Sequence, residues 1–258
     1  MSLLRGQVTI DCFPESLARY GRGWTVVAVD VIRATTTAVT AVAAGRACFP
    51  AFSIETATVI ASRLPDALLV GELGGSLPYG FHVNNSPAAL AQRTDLHRPM
   101  VLLSTSGTKL FSEKGPREAV YAACLRNVAA QIDQLIGRHD RVAVIGAGAR
   151  GEFREEDQLV CARIADGLMR AGYQPLQRTA RIVTRWRDAP VHAVLGGKSA
   201  AFLRRTGQVA DLDFIASHIE DVAETFELDD HGLLARAWSS RSPGTRRELA
   251  DHAPRAGS

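Results

Sequence analysis

No run of about 18 apolar residues occurs in this 258-residue chain, so no segment is long enough to cross a bilayer as a helix. The N-terminus MSLLRGQVTIDCFPE has no long apolar stretch with a cleavage site, and a cytoplasmic protein is expected. Cysteine is scarce: Cys12, Cys48, Cys124 and Cys161 are far apart and form no C-x-x-C pair, which excludes a zinc ribbon or thioredoxin-like motif and leaves reduced core thiols. The seven histidines show no H-E-x-x-H or H-x-H spacing, with His82 and His218 the two of interest. A basic block with interleaved aromatics is also missing. The formal charge is +3, and residues 239–258 hold four arginines against two acids, so the body is near neutral and no nucleic-acid partner is expected.

What is present is 46% apolar and 22% charged residues, the composition of a globular protein. Short aliphatic runs alternate with helical patterns, which predicts an α/β fold. Strands are expected at 7–12, 25–29, 46–52, 67–70, 100–104, 118–123, 141–145 and 176–184. Helices are expected at 34–44, at 54–64 capped by Ser53, and at 87–93 with Ser86 as cap and Pro87 in the first turn. Further helices are expected at 127–136, 156–171, 199–205 and 217–226. The organisation expected is one domain over 1–238 and a disordered basic tail over 239–258. The stretch GELGGSLPYGFHVNNS, 71–86, is long for a loop within a domain and reads as functional, with Asn85 anchoring it and contacting substrate.

Four strand-to-helix junctions concentrate polar residues: Asp30 to Thr37, Gly71-Glu72, Ser104 to Thr108, and Gly146 to Asp157. If their strands run parallel, the junctions meet at one sheet edge, where open α/β folds bind ligands. Helix N-termini attract phosphate there. Arg33 and Arg150 supply planar donors, and Thr35, Thr36, Ser106 and Thr108, with Gly107 between the last two, supply a hydroxyl-rich lining. Three carboxylates, Asp30, Glu72 and Asp157, would repel an anion unless a cation lies between, and hard oxygen donors with room for water suit Mg2+. Capping accounts for one threonine of DVIRATTT but not for three poor helix formers in a row. On the helical wheel Asp157 shares the apolar stripe of Cys161, Ile164 and Leu168, whereas Glu156 is expected to face water.

Other chemistries fit less well. VAVIGAGARGEF matches G-x-G-x-x-G, yet no acid occurs between Gly167 and Trp186, only Arg170, Arg178, Arg181 and Arg185, so an NADP-dependent oxidoreductase is an alternative without its ribose acid. A non-catalytic protein binding an anionic metabolite is the other. Ser106 lies in no G-x-S-x-G elbow, and Ile32 stands where a D-x-D phosphatase has its second acid.

DVIRATTT (30–37), GELGG and GFHVNNSPAAL (71–75, 80–90), STSGTKL (104–110) and GARGEFREED (148–157) resemble, in order and spacing, the 2-phosphosulfolactate phosphatase (ComB-like) family, and the similarity runs from about residue 7 to 227. The resemblance implies a three-layer α/β/α fold with a mixed, largely parallel sheet. It also implies a cytoplasmic, Mg2+-dependent phosphatase acting, in known members, on phosphosulfolactate in coenzyme M synthesis. The matching positions are Asp30, Arg33, Thr35, Thr36, Glu72, Arg150 and Asp157. The chain departs from the family at Leu73, where an arginine is usual, and at His82, Asn84, Ser106 and Lys109. Those departures touch the sulfonate end more than the phosphate end. The partner expected is a small phosphorylated molecule, with a homodimer left open.

Overall fold

In the computed structural model, which describes residues 6–111 and 115–237, the apolar runs of the first half of the chain are strands and the segments between them helices. In order these are β1 (Gln7–Cys12), β2 (Thr25–Val29), α1 (Ala34–Ala43), β3 (Cys48–Ala51), α2 (Ile54–Ala61), β4 (Leu68–Gly71) and α3 (Pro87–Ala91). Then follow β5 (Met100–Leu103), β6 (Ala119–Ala123), α4 (Val128–Leu135), β7 (Arg141–Gly146) and α5 (Glu155–Arg170). The caps expected from the sequence form: Ser53 accepts a bond from Thr56 N, and Ser86 accepts one from Ala89 N with Pro87 opening the helix.

The last third differs from the sequence reading. Residues 176–184 are not a strand. β8 is only Gln174–Pro175, and α6 (Thr179–Trp186) follows. The β-branched residues of α6 suggest a strand, but its buried Val183 and packed Ile182 and Trp186 recur at helical spacing against the core under α5. After α7 (Val191–Val194) and α8 (Lys198–Arg205), α9 (Val209–Ser217) ends where a helix over 217–226 is expected. An extended connection leads instead into β9 (Phe226–Leu228) and β10 (Leu234–Arg236). The segment 239–258 lies outside the described residues.

Among the described residues, ten strands join one sheet in the order β4-β5-β3-β10-β9-β6-β2-β7-β1-β8. One face carries α1, whose Ala38, Val39 and Val42 pack with Val26, Ala28, Leu68, Val70 and Met100. The other carries α4 and α5 over β1, β2, β6 and β7, and α2 over β3, β4 and β5. The architecture is therefore three-layer α/β/α with a mixed, largely parallel sheet. Strands buried on both sides, such as the fully buried TVVAV of β2, read as continuous apolar runs for this reason. Among the described residues no helix is long and apolar enough to cross a membrane.

The junctions do not share a single parallel edge. β4, β5 and β3 form one parallel block and β6, β2, β7, β1 and β8 another, with the β9–β10 hairpin between them paired antiparallel throughout. The hairpin contacts β3 through one residue pair and β6 through two. So short a ribbon permits strong local twist. The turn after β5 and the turn after β2 nevertheless meet beside the N-terminus of α1, where Gly107 lies against Asp30 and Ala34.

Candidate functional site

Asp30 follows the buried β2, and two threonines shape the turn that holds it. Thr35 Oγ1 accepts from Asp30 N (2.9 Å) and donates to Asp30 O (2.8 Å), while Thr36 Oγ1 donates to Val31 O (2.8 Å). All three threonines are buried, and the Thr37 hydroxyl has no hydrogen-bond partner. Thr35 and Thr36 thus spend their hydroxyls inside the turn and do not line the cleft described below. Arg33 is buried, 4% exposed, and its Nη1 donates to Asp211 Oδ2 at 2.5 Å. Asp211 also accepts from Ser86 Oγ (2.6 Å) and Ala88 N (3.2 Å), which ties α9, α3 and the Asp30 turn together. Sequence reasoning missed Asp211; the available signal was an acid set among the apolar residues of VADLDFIAS.

From the other block, Glu72 follows β4 and its carboxylate accepts from Thr105 N (2.7 Å), Thr105 Oγ1 (2.9 Å) and Gly75 N (2.6 Å). Thr108 closes the next turn on itself: its Oγ1 accepts from Ser104 N (2.9 Å) and its N donates to Ser104 Oγ (2.9 Å). Like Thr35 and Thr36, Thr108 is turned away from the cleft, whereas Ser106 lines it. Gly107 has a different part. A Cβ there would lie 2.1 Å from Asp30 Oδ2, so only glycine lets this turn approach the acid.

Asp157, in the first turn of α5, points inward as its helical position implies. Its Oδ1 accepts from Val31 N (2.8 Å) and its Oδ2 from Gly148 N (3.3 Å), bridging the turns after β2 and β7. Glu156 does not face water as expected; it is 1% exposed. Ser199 of α8 lies beside it, but neither carboxylate oxygen has a well-formed hydrogen bond. A wheel drawn on one helix cannot register that α8 covers its polar side. Arg150 is exposed and has a left-handed backbone, φ 54°, in the loop between β7 and α5.

Like charges crowd this place. Burial first, then the charge of Glu72, pushes Asp30 up to about 7, against the Ala34 N–H and Arg33, which hold it down. Burial, then Asp30 and Glu156, pushes Asp157 well above the ordinary carboxylate range. Burial also raises Glu156.

A cleft of about 480 Å3 opens over these groups. Asp30, Glu72 and Asp157 line it together with Arg33, Asn85, Ser106 and Arg150. Asn85 is 2% exposed and its Oδ1 is unpartnered, so it offers a free acceptor. The facing wall comes from residues that the sequence does not single out: Glu152 and Arg154 in the loop after β7, and Lys198, Phe202 and Arg205 of α8, with Glu152 paired to both Lys198 and Arg154. Basic residues in KSAAFLRR were the signal available. Leu73 and Lys109 do not line the cleft, whose distal cations come from α8 and the 148–154 loop.

Among the described residues, no three acid, His or Cys side chains converge closely enough to enclose a metal ion. Mg2+ does not need such a cage, because it keeps several waters and binds through one or two carboxylates. Mutually repelling carboxylates whose proton affinity is raised, with the oxygens of Glu156 unpartnered beside them, are a donor set that fits a hydrated hard cation.

A family model described as 2-phosphosulpholactate phosphatase matches residues 12–226. A protein of Symbiobacterium thermophilum named a probable 2-phosphosulfolactate phosphatase is 32% identical over 213 residues, covering 81% of this chain and 84% of its own. One of the same name from Deinococcus radiodurans is 31% identical over 194 residues, covering 73% and 81%. Another, from Synechococcus sp. RCC307, is 27% identical over 235 residues, covering 86% and 96%.

Proposed function

The chain belongs to the 2-phosphosulpholactate phosphatase family, and on that premise we propose that it hydrolyses a phosphomonoester of a small anionic hydroxy acid, 2-phosphosulfolactate or a close relative, with Mg2+ as cofactor. One observation carries the reading: carboxylates from three separate strand-to-helix junctions, Asp30, Glu72 and Asp157, meet in one cleft with Arg33, Arg150 and a wall rich in basic residues. An acid cluster alone would repel a phosphorylated substrate, and a basic cleft alone would bind it without a place for a cation. The combination suits a metal-dependent phosphotransfer site.

Asp30 and Asp157 would hold the ion, with Glu72 contributing directly or through water. When bound, Mg2+ supplies positive charge against the phosphoryl oxygens and acidifies water. Arg150 donates to the phosphoryl group from the cleft rim, and its planar fork suits two oxygens at once. Arg33 is fixed by Asp211 and adds positive charge from beneath Asp30 without swinging. Ser106 donates a hydroxyl to the same group. Asn85 Oδ1, buried and unpartnered, accepts from a substrate hydroxyl. Lys198, Arg154 and Arg205 face the end of the substrate remote from phosphorus, where a second anionic group would sit. Thr35, Thr36, Gly107 and Thr108 act through the backbone by fixing the turns.

The test is phosphate release from a panel of phosphorylated hydroxy acids, 2-phosphosulfolactate included, with and without Mg2+. Turnover that needs the ion, and that falls at least about 100-fold in Asp30→Asn and Asp157→Asn, is expected. A folded protein inactive on every member of the panel refutes the proposal.

A further inference from the structure

A second recess, of about 390 Å3, lies beside the first, bounded by Cys12, Phe153, Gln158 and the outer face of α6. Phe153 lines it, while its chain neighbours Glu152 and Arg154 line the cleft. Arg178, at the N-cap of α6, and Arg181, Arg185 and Trp186 of α6 line this side. All three arginines are exposed, and none forms an ion pair with a described residue. No acid occurs anywhere from Gly167 to Trp186 to neutralise them.

A solvated basic face explains scattered arginines on a convex surface. It does not explain three on one side of a single helix around a recess with aromatic walls. The Phe153 and Trp186 rings stand 6.3 Å apart at 67°, and Phe153 is 47% exposed. The Arg185 guanidinium lies 5.0 Å from the Trp186 ring centroid. From Arg178 to Arg185 the helix advances about 10 Å, farther than one phosphate spans. A recess of this size is in the range of small-ligand sites, and guanidinium groups beside aromatic rings recognise phosphates attached to a flat apolar group. The tail over 239–258 carries net positive charge and is no complement to this surface.

We propose that this recess binds a nucleoside di- or triphosphate, its base against Phe153 and Trp186 and its phosphates on Arg178, Arg181 and Arg185. The site is separate from the cleft and does not depend on the reaction proposed there. Because Phe153 belongs to the loop that carries Arg150 and Arg154, an occupied recess biases the position of both arginines at the cleft.

The experiment is calorimetric titration of the full chain with ATP, ADP, adenosine and inorganic tripolyphosphate, done in the Asp30→Asn background so that hydrolysis does not intrude. One ATP or ADP per chain is expected, with adenosine and tripolyphosphate each weaker by at least about tenfold. The Arg181→Glu/Arg185→Glu double variant should weaken ATP at least about tenfold, and Arg181→Ala alone should weaken it by less while the protein stays folded. ATP that fails to bind at millimolar concentration overturns the proposal, as does tripolyphosphate that binds as tightly as ATP. Binding that survives the double variant but is lost in Arg150→Ala also overturns it, by placing the nucleotide in the cleft.

Discussion

Replacing Gly107 with alanine tests whether the glycine after β5 exists to admit the carboxylate of Asp30. The added Cβ would fall 2.1 Å from Asp30 Oδ2, 2.8 Å from its Cγ and 2.6 Å from Ala34 Cβ. Real Cβ contacts essentially never close below 3.0 Å, so the acid and the turn must part by about 0.9 Å. Neither yields easily. The Asp30 backbone is held by Thr35, and the Gly107 turn is pinned by the reciprocal bonds between Ser104 and Thr108. Overpacking of this kind costs about 1–3 kcal/mol of stability. A shift near 1 Å at a reacting centre costs about 100-fold in turnover.

Urea unfolding read by circular dichroism should therefore show a modest loss in Gly107→Ala, while kcat for Mg2+-dependent phosphate release falls about 100-fold and the variant remains folded. The two readouts separate a damaged fold from a displaced carboxylate. A variant whose kcat stays within about threefold of the parent refutes the reasoning, because the acid would then tolerate the displacement that the geometry requires.

Asp211→Ala leaves the buried Arg33 guanidinium without its partner and should cost about 3–5 kcal/mol, or roughly 10 °C in thermal midpoint. A loss below about 1 kcal/mol in urea titration would show that Arg33 finds another partner or water. Near the opposite end of the sheet, Arg93 and then Arg46 hold the Asp95 carboxyl well below the usual range. A depressed folded-state value means that this contribution is complete above the unfolded pKa of about 3.9 and is lost as pH falls below it. Asp95→Asn should thus flatten the acid side of a plot of urea midpoint against pH, and a variant that parallels the parent at every pH contradicts the assignment. Saturating Mg2+ at about 100 times its Kd should stabilise the parent by about 2.7 kcal/mol and leave Asp30→Asn nearly unmoved. An absence of any thermal shift in the parent removes the ion from the site.

The sequence is a good guide to β2, β5, β6 and β7 because each is a mostly apolar run buried along nearly all its length, while β1, β3 and β4 are shorter or more polar runs set off by Gly6, Ser53 and Gly71. β9 and β10 are three residues each, shorter than any periodicity can register, and β8 is two. α6 is a different failure: TARIVTRW has the β-branched residues of a strand, but its apolar residues recur at helical spacing on the side that docks against α5, and that period outweighs the β-branching. Within the cleft, Asp30, Glu72 and Asp157 were visible as acids at strand-to-helix junctions. Lys198, Phe202 and Arg205 were not, since no local rule says that α8, which begins 28 residues after α5 ends, forms the facing wall.

The threonines of DVIRATTT shape the cleft through atoms other than those the sequence points to. Three poor helix formers in one turn do need a reason beyond capping. Thr35 and Thr36 do not aim their hydroxyls into the cleft; they close the turn around Asp30 and Val31. That closure aims Val31 N at Asp157 Oδ1, so the acid of α5 is oriented by the backbone that the threonines fix. Asp157, whose carboxyl burial and then the charge of Asp30 push up, is thereby held at the Asp30 turn by bonds that do not neutralise it. Repulsion between two buried carboxylates disfavours the fold unless a proton or a cation relieves it. A backbone that enforces the encounter, through two threonines and a glycine with no room for a methyl group, is organised around whatever positive charge completes the site.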